Sequence, residues 1–227
     1  MRPPALLLAS VLAAAVAAPA PLAGVAGVAG LGGVARAGTL PGSPLAQLRA
    51  QNERIDRILK SKPQAGSPAE KAAKEELKSI VNNLLDYREL ARRSLGVHWD
   101  KLTAPQREEF VSTLRELIEK NYVKQLRTNL EYEVIYKNES VQDGDAKVST
   151  VVKVRTKGKS TDTSIEYKMH RADERWVVYD VITDEVSMVQ NYRAQFNRII
   201  TNESYDALIK KMRKKIEESE AARAAAK

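Results

Sequence analysis

Residues 175–196, which read RWVVYDVITDEVSMVQNYRAQF, decide the fold. In residues 175–182 both alternating sets of side chains are apolar, which predicts a strand that is covered on both faces. One set is Trp176, Val178 and Ile182, and the other is Val177, Tyr179 and Val181. From Ser187 to Ile200 the apolar side chains recur at helical spacing instead. The stretch therefore predicts a buried strand that is followed by a helix.

Three further strands are predicted upstream, because the apolar pattern changes from helical spacing to strict alternation after Leu130. They cover Glu131–Lys137, Ala146–Thr156 and Thr163–Arg171, and Asp143-Gly144 between the first two is a hairpin turn signal. In the third strand one set of side chains is expected to point inward and the other to be solvated. The inward set is Ile165, Tyr167 and Met169, and the outward set is Glu166, Lys168 and His170.

Helical patterns flank these strands on both sides. Four helices are predicted before the strands: one that begins after Pro44, one over Ala69–Leu85, one from Asp86 to Gly96, and one that begins at the capping box Thr103–Gln106. Two more are predicted after the strands, over Ser187–Ile200 and from Tyr205 to about Glu218. Helices, then antiparallel strands, then two more helices indicate an α+β fold. We expect a curled antiparallel sheet of about four strands packed with several helices.

The N-terminal segment has the pattern of a secretory signal. It contains Arg2, then an uncharged stretch rich in Ala, Leu, Val and Gly, and then Ala35-Arg36-Ala37 before Gly38. We expect cleavage near Ala37-Gly38 and an exported mature protein. An uncleaved membrane anchor and a misplaced start codon are the alternatives. The remaining chain divides into a flexible lead-in (38–44), a single α+β domain (45–218) and a charged, Ala-rich tail (219–227).

The charge and cysteine content narrow the classes of partner. The chain of 227 residues carries a formal net charge of +8, and cleavage of the signal would remove Arg2 and Arg36 to leave +6. Such a charge favours an anionic partner, but an exported protein meets little nucleic acid, so no nucleic-acid partner is expected. The chain has no cysteine, which excludes disulfides and thiolate metal sites.

Catalytic motifs are scarce in this sequence. It has no Gly-x-Ser-x-Gly elbow, phosphate loop, dinucleotide-binding glycine pattern or His-Glu-x-x-His pair. His98 is expected to be packed or to cap a helix, and His170 to be solvated. Asp180, surrounded by apolar residues, is the one candidate for a buried acid or base. The alternative is that Asp180 bonds to nearby backbone and holds the strand end in place.

Two motifs in the chain are specific enough to compare with a known family. The first is His98-Trp99, Leu102-Thr103, Gln106–Phe110 and Tyr122. The second is Trp176–Val181, Val186–Val189, Asn191–Arg193 and Gln195-Phe196. Both resemble the MlaC family of periplasmic phospholipid-binding proteins, also called toluene-tolerance auxiliary proteins, and the second is similar almost position for position. The resemblance runs from about Leu45 to Ile216. Ser204 departs from it, because many members have Gly there.

The resemblance implies a carrier rather than an enzyme. It implies a protein that moves phospholipid between an outer-membrane lipoprotein–porin complex and an inner-membrane ABC transporter, in the pathway that maintains outer-membrane lipid asymmetry. The acyl chains would lie in an apolar cavity, and no cofactor or metal would be needed. We expect a monomer. The enzyme alternative, on a similar cavity-bearing scaffold, would use Asp180 as its acid or base.

The candidate lipid contacts are apolar or aromatic residues from the predicted strands and helices. They are Leu114, Ile118, Tyr122, Val134, Val152, Tyr167, Val178, Val181, Met188 and Phe196. Trp99 and Trp176 are expected to be structural. The lipid head group is expected to stay in solvent.

Overall fold

The computed structural model describes residues 42–123, 131–156 and 159–225, so the predicted signal and residues 38–41 of the lead-in lie outside the described residues. Before the sheet lie α1 (Pro44–Lys60), α2 (Pro68–Leu84), α3 (Tyr87–Leu95), a 3₁₀ helix (Gly96–Lys101) and α4 (Ala104–Val123). The strands are β1 (Glu131–Gln142), β2 (Asp145–Thr156), β3 (Lys159–Ala172), β4 (Arg175–Thr183) and β5 (Val186–Ser187). Helices α5 (Met188–Asn202) and α6 (Tyr205–Ala225) follow. The predicted α+β fold is confirmed.

Several elements are longer than predicted. Strand β1 continues to Gln142, which pairs with Asp145 across the hairpin turn, and β3 begins at Lys159, opposite Thr156. The added strand residues are mostly polar, so alternation of hydrophobicity does not reveal them, but each has a ladder partner on β2. Helix α6 continues past Glu218 to Ala225, because Ala, Glu and Arg are strong helix formers.

The sheet is antiparallel with the order β1-β2-β3-β4-β5, so the estimate of about four strands corresponds to four long strands and a two-residue fifth. Irregularities in pairing interrupt the ladder between Tyr136 and Asn138 and between Lys168 and Met169. Such bulges increase the local twist and bend a strand. The sheet is curled but is not a closed barrel, since its order begins at β1 and ends at β5.

The predicted faces of β3 are confirmed, but those of β4 are only partly right. The bulge between Lys168 and Met169 places Val181 opposite Tyr167 on the inner face with Val178, and Ile182 opposite Glu166 on the outer face. The inward side chains Ile165, Tyr167 and Met169 are buried. In β4, Val178 is fully buried on one face while Val177 and Tyr179 are buried on the other. Helices α3 and α5 pack on each other and against β4. Both faces of this strand are therefore covered, as the two apolar parities predict.

His170 lies on the outer face, as strand parity predicts, but it is only partly exposed and has a partner, which corrects the expectation that it is solvated. Its Nε2 lies 2.9 Å from Oδ2 of Asp86, and its ring packs edge-on against Tyr179 with 5.7 Å between centroids. Asp86 also caps α3 by accepting a hydrogen bond from the Glu89 N–H. Helix α3 covers this end of the outer sheet face, so His170 ties the sheet to the start of that helix.

The helix ends follow their sequence signals. Gln106 N–H donates to Thr103 Oγ1 and the Gln106 side chain accepts from Thr103 N–H, as in a capping box. Helix α3 ends at Gly96, whose φ is +55°. A Cβ at Gly96 would lie 2.7 Å from Nε of Arg193 on α5, so the residue needs both its positive φ and its missing side chain.

Helices α3 to α6 form most of the core on one side of β4. Phe196 of α5 meets Phe110 of α4 edge-on at 5.5 Å between centroids and stacks on Tyr192 at 5.2 Å. Trp99 and Trp176 are both 7% exposed.

In the described part of the chain, no helix combines the length and the apolar character needed to cross a bilayer.

Asp180 joins β4 to α5. Its carboxylate is 4% exposed and accepts hydrogen bonds from Ser187 Oγ at 2.7 Å and from Val189 N–H at 3.0 Å. The same Ser187 hydroxyl caps α5 by accepting from the Gln190 N–H. These contacts fit the expectation that Asp180 holds the strand end in place.

We expect Asp180→Ala to lower the free energy of unfolding by about 2–3 kcal/mol, because it leaves a buried hydroxyl and a buried N–H without their acceptor. Asp180→Asn should cost less than half of this, since its amide oxygen still accepts from Val189. Urea denaturation measures both. Glu174→Ala, in the exposed turn after β3, is the control, and an equal effect of Asp180→Ala and Glu174→Ala would contradict this role.

Candidate functional site

A cleft of about 290 Å³ lies between helix α1 and the inner face of the first three strands. Helix α1 packs against β1 and β2, and the cleft separates its second half from the sheet. The lining residues come from α1 and from β1, β2 and β3. They are Asn52, Glu53, Ile55, Asp56, Lys60, Tyr132, Glu133, Val134, Tyr136, Val152 and Tyr167.

The inner wall of the cleft is apolar because inward-facing positions of neighbouring strands are in register. Val134 of β1 pairs with Val152 of β2, and Tyr167 of β3 pairs with Val148 of β2. Val152 and Tyr167 are buried, while Val134 is half-buried. Ile55 supplies an apolar side chain from the helix. Such a surface can shield a hydrocarbon chain from water.

A line of polar contacts runs along the other side of the cleft, between α1 and the edge strand β1. Tyr132 donates its hydroxyl hydrogen to Asp56 Oδ1 at 2.9 Å, and Asn52 Nδ2 donates to the Tyr136 hydroxyl at 3.1 Å. The Arg49 guanidinium lies 4.6 Å from the centroid of the Tyr136 ring. Positions 49, 52 and 56 share one helix face. We call these contacts the α1–β1 seam.

The first turn of α1 is fixed in a different way. Ser43 Oγ caps the helix, and the Leu45 N–H donates to Glu139 Oε2 on β1 at 2.8 Å. The Gln47 side chain bonds to both backbone groups of Trp176: its amide nitrogen donates to the carbonyl, and its oxygen accepts from the N–H at 2.9 Å. The start of the helix therefore contacts both β1 and β4.

The tyrosines of the cleft serve as hydrogen-bonding or apolar groups rather than as acids or bases. Burial raises the pKa of Tyr167. The pKa of Tyr132 is raised first by burial and then by its bond to Asp56. Both phenols therefore stay protonated at neutral pH. Among the charged lining residues, Lys60 pairs with Asp56 at 2.8 Å.

Three of the predicted lipid contacts, Val134, Val152 and Tyr167, line this cleft. The other described ones are buried in the core outside its lining, and their contact with lipid stays a prediction. They are Leu114, Ile118, Val178, Val181, Met188 and Phe196. Tyr122 is in the last turn of α4, but its side chain lies outside the described residues.

Sequence reasoning missed the α1 side of the cleft and two tyrosines of β1. Tyr132 and Tyr136 have the same inward parity as Val134 up to the bulge, so alternation along β1 could have placed them there. Nothing local marks Asn52 and Asp56, since polar residues on an amphipathic helix usually face solvent.

Asp180, the acid of the enzyme alternative, does not line the cleft and has both carboxylate oxygens occupied by hydrogen bonds. Over the described ranges 42–123, 131–156 and 159–225, no three His, Asp or Glu side chains come together in a way that could hold a metal ion.

Comparison with known proteins identifies the family. The family model for MlaC protein matches residues 49–214, which agrees with the resemblance expected from Leu45 to Ile216. The intermembrane phospholipid transport system binding protein MlaC of Haemophilus influenzae is 27% identical over 142 residues, which cover 60% of this chain and 66% of that protein.

A solved structure, the phospholipid-binding protein of Ralstonia solanacearum in complex with a phospholipid, superposes with a TM-score of 0.59 at 17% identity. The superposition covers 77% of this chain and 97% of that one, so it shows a shared fold. The family model matches well over half of the residues of this chain. The chain belongs to the MlaC protein family.

Proposed function

We propose that this protein is a phospholipid carrier of the cell envelope and that the cleft between α1 and the sheet receives acyl chain. The observation that carries the proposal is the apolar wall of Val134, Val152 and Tyr167 within the part of the chain that matches the family. A relative of this chain is named as a phospholipid transport binding protein, and a protein of the same fold binds a phospholipid.

A carrier must keep acyl chains out of water. A chain of about 15 methylenes, at roughly 0.8 kcal/mol each, gains on the order of 12 kcal/mol when it is fully buried. Apolar volume is thus the main requirement, and acid–base groups are not needed. Leu114, Ile118, Tyr122, Val178, Val181, Met188 and Phe196 remain proposed contacts for a chain that reaches past the cleft.

The proposed partners follow from family membership. We place the protein in the periplasm as a monomer that exchanges phospholipid with an inner-membrane ABC transporter complex and an outer-membrane lipoprotein–porin complex. The positive net charge suits contact with anionic head groups or acidic protein surfaces. No observation favours the enzyme alternative, because the contacts of Asp180 are those of a structural residue.

Phospholipid should co-purify with the protein. Native mass spectrometry after gentle purification, followed by solvent extraction and lipid analysis, measures it directly. Val134→Trp should lower the bound lipid roughly tenfold, because an indole in the cleft overpacks the space that the chain would use.

The control is Ile135→Trp, the next residue of β1, whose side chain has the opposite parity and faces away from the cleft. It should keep its lipid. Recovery of lipid-free wild type that also takes up none from liposomes would overturn the proposed function.

The N-terminal proposal has its own test. We expect the mature protein from an envelope fraction to begin at Gly38, with residues 1–37 removed. Intact-mass measurement and N-terminal sequencing check this. A full-length chain in the membrane fraction would instead support the uncleaved anchor.

A further inference from the structure

The two ends of helix α1 are attached to the sheet by different kinds of bond. At its start, the Gln47 side chain holds the N–H and carbonyl of Trp176, and the Leu45 N–H bonds to the Glu139 side chain. The backbone of Trp176 cannot move without the sheet, so the two bonds of Gln47 anchor this end of the helix. The contacts of Leu45 and Gln47 together reach both β1 and β4, which makes the first turn a fixed point.

The second half of α1 meets β1 only through side chains in the hydrogen bonds that the structure describes. Asn52 bonds to Tyr136, and Asp56 bonds to Tyr132, directly beside the cleft. Water can replace both bonds when the helix moves away, so their net contribution is modest. This half of the helix is therefore the more weakly held wall of the cleft.

Asn52 also makes the closed arrangement less favourable. Its Oδ1 is sealed from solvent and has no hydrogen-bond partner among the described residues. An acceptor buried without a partner is destabilising, and opening the seam would return it to water. The Asn52 side chain therefore acts in both directions. Its Nδ2 bond to Tyr136 favours the closed arrangement, and its unpartnered Oδ1 favours the open one.

A movement of α1 away from the sheet would enlarge the cleft of about 290 Å³. The loop 61–67 that follows α1 includes Lys62 and Gly66 at positive φ.

The burial of Ile55 makes the free energy of such a movement depend on whether lipid is bound. Swinging the second half of α1 outward removes Ile55 from its apolar surroundings, which is unfavourable in an empty protein. An acyl chain entering the cleft would replace those contacts. The open arrangement is therefore stabilised by lipid and disfavoured without it.

We propose that residues 52–60 of α1 form the gate of the cleft, which opens by breaking the α1–β1 seam while the Leu45–Gln47 end stays anchored. This inference rests on the proposed carrier function. Asn52, Asp56, Tyr132 and Tyr136 hold the gate closed through their hydrogen bonds. The apolar contacts with lipid come instead from the wall of the cleft.

The absence of cysteine from the chain permits a clean cross-linking test. Asp56→Cys together with Tyr132→Cys, joined by a short bismaleimide, fixes the gate to β1. The probe is a fluorescent phospholipid in vesicles of phosphatidylethanolamine and phosphatidylglycerol, and the readout is the rate of its transfer to the protein. Cross-linking should bring the rate down to that of protein-free background, whereas the same variant without cross-linker transfers at least as fast as wild type.

The matched control joins Lys147→Cys to Glu166→Cys. These residues lie on the outer face of the sheet, where their side chains approach to 3.8 Å, so this cross-link does not span the gate. It should leave the transfer rate unchanged. An unchanged rate for the Asp56–Tyr132 cross-link as well would overturn the gate while leaving the carrier function intact.

A milder substitution tests the same step without a cross-linker. Tyr132→Phe removes only the hydroxyl that bonds to Asp56 and should speed transfer by roughly tenfold, the usual weight of a hydrogen bond to a charged group. Tyr179→Phe on the outer face is the control. Equal rates for wild type and Tyr132→Phe would count against the gate. If wild type takes up no lipid at all, the carrier proposal fails and the gate fails with it.

Discussion

The burial of β4 on both faces is the constraint on which the rest of the structure depends. Its inner side chains face the core, and its outer ones, Val177 and Tyr179, must be covered by helices. Helices α3 and α5 provide that cover. Asp180 fixes α5 to β4 through Ser187 and Val189, and His170 of the neighbouring β3 bonds to Asp86 at the start of α3. With α3 and α5 held against the outer face of β4, α1 is left to cover the inner face beside β1.

The cleft exists because α1 meets β1 through polar side chains over part of its length. Apolar residues at positions 52 and 56 would pack against the sheet, and the space would become ordinary core. Asn52 and Asp56 instead hold the tyrosine hydroxyls of β1 at a distance. Val134, Val152 and Tyr167 therefore line a cleft between the helix and the sheet.

Much of the fold could be predicted from the sequence, because its signals are local. The apolar alternation of β3, the capping box at Thr103 and the stop at Gly96 each depend on residues close together in the chain. The faces of Val181 and Ile182 were predicted wrongly, because alternation does not reveal the bulge opposite Lys168 and Met169. Strand ends were predicted less well, since the polar residues 138–142 and 159–162 are held by ladder pairing and not by burial. The contact of His170 with Asp86 was missed because strand parity does not reveal that α3 covers the outer face.

By itself the sequence determined the fold class, the faces of β3, the helix caps and the MlaC family, since these follow from period, spacing and motif. Only the tertiary structure decided which apolar residues border the cleft and which fill the core, because both kinds have the same period and the same chemistry. It also decided the α1–β1 seam, whose partners are 76 and 84 residues apart. A polar side chain on a helix acquires such a role only from what the fold places opposite it.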